Sequence, residues 1–248
     1  MRKIIFGLAI LALSLNAKNI YATFNIEAVK NANLAFSSSG IVKDVLVDIT
    51  SVVKKDAIIA KLKNDDLKSI LNIAKVELKS AEVNLKFAKK EYNRQLKVKK
   101  IIDASKFDKY ALNYENAKIK VELMKSKIAN SLSMLDKTIL KAPFDGIIYE
   151  KIVEVGDVVS GQGIRTILKI QSKNARKLIL EFDQKYHNSV NIGDIFKYKI
   201  DGDKKEYQGF ISKIYPYANK NTRKIKAEVK TTNVIVGLFG DGYITTSK

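Results

Sequence analysis

Between Asn64 and about Lys100 the chain has no Gly or Pro, and Leu67, Leu71, Ala74, Leu78, Ala81, Leu85, Ala88 and Tyr92 follow one another at +4/+3 spacing. That is the seam of a helix burying one narrow stripe. After a break at Ile101 to Ala104, Phe107, Tyr110, Tyr114, Ala117, Val121, Met124, Ile128, Ser131 and Leu135 repeat the pattern until Pro143 forbids more helix. At 1.5 Å per residue each helix is about 45–50 Å long. Two such helices joined by a few residues must run antiparallel, and an Ala-rich seam facing a Tyr/Phe-rich one sets small against large. The rest of the sequence supplies too little apolar surface to cover both helices, so a coiled-coil hairpin over 64–137 is predicted rather than two core helices.

The flanks switch to strand periodicity. Gly40 to Val53 (GIVKDVLVDITSVV) overlays Gly146 to Val159 (GIIYEKIVEVGDVV) without a gap, with five of fourteen positions identical and five more conservatively exchanged. Val45, Val47 and Ile49, and again Val153 and Val155, recur at every second position, with Asp48 and Glu154 between the last two of each set. Two similar β units on either side of the helices predict two halves of one pseudo-symmetric β domain, split by an insertion, over 37–63 and 138–173. Beyond it, Leu178–Phe182, Ile195–Ile200, Tyr207–Ile214, Lys224–Val229 and Val234–Ile244 read as short strands separated by Asn/Asp/Gly turns. They predict a small β-barrel or sandwich over 174–233. Residues 23–36 and 234–248, outside the repeat, are expected to pair as a separate β segment.

Met1-Arg2-Lys3 followed by the uncharged run Ile4 to Leu15 has the layout of a secretory leader, with a candidate cleavage site at Ile20-Tyr21-Ala22. The run is shorter than the roughly 20 residues that span a bilayer, which argues against the alternative of a retained anchor. Removing residues 1–22 takes away Arg2, Lys3 and Lys18 and lowers the formal charge from +19 to +16. The absence of Cys excludes disulfides, thiolate chemistry and Cys-ligated metal sites, and a single His, His187, removes most His-based catalysis. The basicity is carried by Lys, whereas nucleic-acid readers lean on Arg forks, so charge alone argues weakly for nucleic acid.

The order β half, helical hairpin, β half, small barrel, behind a leader, resembles the periplasmic adaptor (membrane fusion protein, HlyD-like) family of bacterial tripartite efflux systems. Lys141-Ala-Pro-Phe-Asp-Gly-Ile147 resembles the APFDG signature opening that family's second lipoyl half, followed by Glu154-Val-Gly-Asp-Val-Val159. Val53 to Leu62 resembles the first half, with Asp56-Ala57 where the family usually has Gly-Asp. Asp enters left-handed turns more readily than most residues, which makes the exchange tolerable. The resemblance implies a mixed α and β, multidomain and elongated fold: a split lipoyl-like domain, the hairpin, a barrel and a membrane-proximal β segment (23–36 and 234–248). It also implies a non-catalytic role in the periplasm, associated with the inner membrane through a pump. The implied partners are an inner-membrane transporter, RND-type before ABC-type, a TolC-like outer-membrane channel and further copies in a ring, hexameric in the family. Neither a nucleic-acid partner nor a cofactor is implied: lipoylation is not expected, because the hairpin occupies the place of the modified Lys.

The family places an Arg, a Leu four residues later and a Ser seven beyond that around the hairpin tip, where the outer-membrane channel is met. Arg94, Val98 and Ser105 have that spacing here, with Val for Leu. Each also has a plainer reading: a solvated cation, a seam-closing Val, and with Asp108 an S-x-x-D capping box. Asn219-Lys-Asn-Thr222-Arg223 resembles a loop preceding a barrel strand in RND-type adaptors. His187, in Tyr186-His-Asn-Ser189, is expected to be a surface loop residue. The competing functions are a secreted polyanion-binding protein and a carrier domain modified on a Lys; neither accounts for the split repeat.

Overall fold

The computed structural model describes residues 18–160 and 165–246. The leader up to residue 17 lies outside the described residues. In chain order the elements are β1 (Asn19–Ala28), β2 (Asn31–Leu34), β3 (Gly40–Val45), β4 (Val52–Val53), β5 (Ile58–Leu62), α1 (Asp65–Lys97), α2 (Ala104–Asp136), β6 (Ile139–Lys141), β7 (Gly146–Lys151), β8 (Val158–Val159) and β9 (Leu168–Gln171). There follow β10 (Ala175–Asp183), a 3₁₀ turn at Gln184–Tyr186, β11 (Ile195–Ile200), β12 (Glu206–Ala218), β13 (Lys224–Thr232) and β14 (Phe239–Thr245). They fall into two compact units, one of residues up to Asn31 and from Gln171 onward, the other Ala32–Ile170.

In the second unit, two four-stranded sheets have the orders β2-β9-β7-β4 and β6-β5-β3-β8. The internal repeat explains their equivalence. Gly40 pairs with Val159 and Gly146 with Val53, so each half lends its short second strand to the other half's sheet. The turns cross in the same way: Thr50 N donates to Ile148 O at 2.8 Å and Gly156 N to Val42 O at 2.9 Å. Thr50 and Gly156 occupy matching repeat positions and both have positive φ, 74° and 98°. Their turns close alike, Asp48 N donating to Ser51 Oγ (2.9 Å) and Glu154 N to the Asp157 carboxylate (3.0 Å). One core, including Val42, Ile59, Leu62, Ile148, Leu168 and Ile170, fills the space enclosed by both halves.

The 141–147 motif acts through that core. Ala142 is buried and exchanges backbone bonds with the Asp56-Ala57 turn, Phe144 packs against the core, and Asp145 accepts from Lys55 N at 2.7 Å. Asp56 takes φ 64°, the left-handed conformation that the exchange from Gly requires.

Helices α1 and α2 enter between β5 and β6 and pack along the expected seams. Ala81 meets Val121 and Met124, Tyr92 stacks on Tyr114 with ring centroids 5.2 Å apart, and Glu77 pairs with Lys127 at 2.6 Å, which makes the helices antiparallel. At the base, Leu62 N donates to Thr138 O (2.9 Å) and the Asn64 side-chain amide to Thr138 Oγ1 (2.9 Å), both side chains being buried. The cap of α2 corrects the sequence reading: Asp103, not Ser105, is the N-cap, its carboxylate accepting from Lys106 N at 3.2 Å. The helix starts two residues earlier than an S-x-x-D box at Ser105 would allow.

In the other unit, six strands close a barrel in the order β1-β10-β13-β12-β11-β14. The strands β1 and β14, within 23–36 and 234–248, are therefore not a segment separate from 174–233, and β2, also within 23–36, belongs to the other unit's sheet. β1 pairs with β14, as their position outside the repeat suggested, but β1 also pairs with β10 and β14 with β11. Ile20, Ala22, Phe24, Ile26 and Ala28 alternate inward and would be left uncovered without both neighbours. Ile20-Tyr21-Ala22, the candidate cleavage site, is part of β1 in the folded barrel, with Ile20 and Ala22 fully buried. A Cβ on Gly242 would lie 2.2 Å from Lys197 O, so β14 approaches β11 too closely for any side chain there.

Candidate functional site

The three residues expected at the tip fall at one end of the hairpin. Arg94 is in the last turn of α1, Val98 is its C-cap, and Ser105 is in the first turn of α2. The turn between the helices is organised by backbone: Val98 O accepts from Ile101 N (2.9 Å) and Ile102 N (3.3 Å), while Val98 N donates to Gln95 O (3.1 Å). Val98 also presents its side chain, 39% exposed. It does not close the seam, where Tyr92, Phe107 and Tyr114 are the terminal layer.

Arg94 is 73% exposed and pairs with Glu91, one turn earlier; the other Glu91 oxygen accepts from Gln95 Nε2 at 2.9 Å. Exposed ion pairs of this kind contribute about 0–1 kcal/mol, so a partner carboxylate can take over the guanidinium at little cost. Lys99 lies over the Phe107 ring, 4.6 Å from its centroid. Between Lys86 and Lys100 seven basic residues face one acid, Glu91. The sequence reading missed Ile101, 87% exposed at the turn. Its signal was an apolar residue in the break between two heptad patterns, where only polar turn residues are expected.

A second concave surface lies on the barrel. A groove of about 920 Å³ is lined by Asp183, His187, Tyr215, Pro216, Tyr217 and Arg223, among others. His187 ends the 3₁₀ turn and is exposed, its Nδ1 3.2 Å from Gln184 O, as expected of a loop residue. The 219–223 loop is closed by Asn219, whose side chain accepts from Asn221 N and Thr222 N, with Arg223 at φ 55°. Nearby, Glu228 is nearly enclosed: burial alone would raise its carboxyl, but hydrogen bonds from Tyr215 OH (2.8 Å) and Lys177 Nζ (3.2 Å), with Lys213 at 3.6 Å, hold it below the ordinary carboxylate range. Arg176 is buried without a carboxylate and donates to the carbonyls of Val234, Ala175, Lys173 and Ser172; desolvation lowers its pKa. These are contacts that hold strands together. Among the described residues no group of three or more His, Cys, Asp or Glu is placed to hold a metal ion, and no helix is long and apolar enough to cross a membrane.

No family model matches the sequence. The cobalt-zinc-cadmium resistance protein CzcB of Cupriavidus metallidurans is 27% identical over 212 residues, covering 82% of this chain and 39% of that protein. The cation efflux system protein CzcB of an Alcaligenes species is 26% identical over the same coverage. The chain thus spans about two fifths of the length of these relatives. Among solved structures, a MacA–MexA chimera carrying the Pseudomonas aeruginosa MexA α-hairpin domain superposes with TM-score 0.78 at 19% identity, over 93% of this chain and 81% of that one. The membrane fusion protein Spr0693 of Streptococcus pneumoniae gives 0.75 at 14% identity, over 92% and 99%. These likenesses show the fold.

Proposed function

We propose that the chain is a periplasmic membrane fusion (adaptor) protein that joins an inner-membrane pump to an outer-membrane channel for efflux, a reading supported by its sequence kinship to cation-efflux proteins and by its fold. The observation that carries this reading is the insertion itself. A helical hairpin leaves a pseudo-symmetric β domain between β5 and β6, and its far end gathers an exposed Ile, an exposed Val and an excess of cations. Such a device has no use for a reaction centre. It sets one attachment point at a fixed distance from another, because 33-residue helices extend about 50 Å.

In this reading the paired sheets are the lipoyl-like domain and the helices a coiled coil. The barrel grips the pump, copies of the chain form a ring, and Arg94, Val98, Ser105 and Ile101 meet the channel. An RND-type pump is favoured over an ABC exporter by the kinship to proteins named for cation resistance and cation efflux. The expected test is a photo-crosslinker placed at Ile101 in the full chain in its native cell. A covalent adduct with an outer-membrane channel supports the reading, and adducts only with nucleic acid or soluble proteins overturn it.

A further inference from the structure

The groove on the barrel combines an aromatic wall with a cationic rim. The wall comes from an irregularity in β12. Ile214 pairs with Ala227 and Ala218 with Ile225, so three residues, Tyr215-Pro216-Tyr217, stand opposite one, Lys226. A bulge of this kind bends the strand and re-aims its side chains, and Pro216 fixes its own φ and offers no N–H to the ladder. Both tyrosines and the proline line the groove. Tyr215 OH donates to the Glu228 carboxylate at 2.8 Å, and the Tyr217 ring meets the Tyr215 ring edge-on, with centroids 6.1 Å apart. Tyr217 nevertheless remains 55% exposed. An aromatic surface that is already ordered costs a ligand little to use.

The rim is basic. Lys185, Arg223 and Lys224 line the groove against a single acid, Asp183. Lys185 lies 3.5 Å from Asp183 and Lys224 3.9 Å from Glu181, whereas Arg223 is exposed and forms no ion pair among the described residues. Its guanidinium is free to take a carboxylate, sulfonate or phosphate through two parallel N–H···O bonds. The volume of about 920 Å³ is in the range of sites that enclose drug-sized molecules. The charge excess repels a cation, and a molecule without charge would gain nothing from Arg223.

We propose that this groove binds a small organic anion with a flat aromatic body, its ring against Tyr217 and Pro216 and its acidic group on the Arg223 guanidinium. Stacking on the tyrosine supplies the apolar contact, and the guanidinium selects the charge. The site needs only the folded barrel, so it stands or falls apart from the adaptor reading.

Anilinonaphthalene sulfonate is the probe, an aromatic anion whose emission rises in apolar surroundings; phenylnaphthylamine is the same ring system without the sulfonate. Titrated into the full chain at neutral pH, the sulfonate is expected to fill one saturable site per chain. The neutral dye is expected to bind about tenfold more weakly, the worth of one charge-assisted contact. Arg223 takes φ 55°, a conformation that Asn accepts, so Arg223→Asn removes the charge without straining the loop. It should weaken the sulfonate about tenfold and leave the neutral dye unchanged. Tyr217→Ala should weaken both dyes. Tyr243→Ala, which removes a similarly exposed tyrosine elsewhere on the barrel (52%), should change neither. The thermal midpoint of each variant checks that the barrel is folded. Equal affinity for the two dyes, emission that rises without saturating, or sulfonate binding untouched by Arg223→Asn would each overturn the proposal. Loss of binding in Tyr243→Ala would place the dye on another face and overturn it likewise. Binding of neither dye would leave the groove to a segment of another protein and remove the small anion.

Discussion

Arg94 and Ser105 were singled out by the same spacing, yet the structure separates their roles. Arg94 is solvent-facing and held only by Glu91, so its charge can pass to a channel acid, where a charge-assisted pair is worth about 1.5–3 kcal/mol. Arg94→Asp is expected to abolish efflux, read as substrate accumulation, without changing the thermal midpoint. Ser105→Ala should shift stability by less than about 0.5 kcal/mol, because the cap is Asp103; Asp103→Ala should cost about 0.5–2 kcal/mol. Efflux unaffected by Arg94→Asp would remove Arg94 from the contact. Cap identity was illegible in sequence because Asp103 and Ser105, both residue types that cap helices, stand two residues apart and only the start of α2 chooses between them. Asp56 was legible, because a left-handed turn accepts few residues other than Gly and Asp or Asn are among them. Glu228 was not, since its three partners come from β10 and β12 and meet only in the closed barrel. Its folded carboxyl is held below the ordinary value of about 4.3. The stabilisation it contributes is therefore complete at neutral pH and is lost as pH falls from that value through the lower folded one. Glu228→Gln should cost about 1–3 kcal/mol in urea unfolding at pH 7, with the difference shrinking toward pH 3; a constant difference across that range would remove the charge from the explanation.

Periodicity carried the elements wherever one face is buried. Both helical seams and the Gly40–Val53 and Gly146–Val159 halves could be written from the sequence, since one row of side chains must face a partner at fixed spacing. β1 was misjudged for a physical reason of another kind. Its inward residues Ile20, Ala22, Phe24 and Ile26 alternate as a strand should, but Ile20-Tyr21-Ala22 also fits a cleavage site, and a leader reading ending at Ala22 divides the alternation in two. Processing after Ala22 would remove Ile20 and Ala22 from the barrel core, together with their pairing to Ile244 and Gly242. A leader peptidase must therefore cut upstream of Asn19 if the barrel is to close. N-terminal sequencing of the periplasmic protein is expected to place the start before Asn19; a protein that begins at Thr23 and still unfolds cooperatively would show that the barrel closes without the first half of β1.

The split of one β domain around two long helices was visible in the repeat, but the reason the chain tolerates it lies at the base of the hairpin. Leu62 N bonds Thr138 O at 2.9 Å, so the insertion leaves and re-enters between neighbouring strands. The β core draws its apolar residues from both flanks and none from the seam, which has its own cluster around Ala81, Val121 and Met124. Replacing Asn64–Lys137 by a short Gly/Ser linker is therefore expected to leave the β domain folded. A short loop between adjacent strands costs less closure entropy than a long one, and the Asn64 to Thr138 bond is lost with a side chain that the shortened protein no longer contains. The same change removes Arg94, Val98 and Ile101, so efflux should disappear while the β domain stays folded. Dispersed amide resonances with a cooperative unfolding transition are the expected measurement. A collapsed product without cooperative unfolding would mean that the helices stabilise the halves they separate, and the hairpin would then belong to the β domain rather than be carried by it.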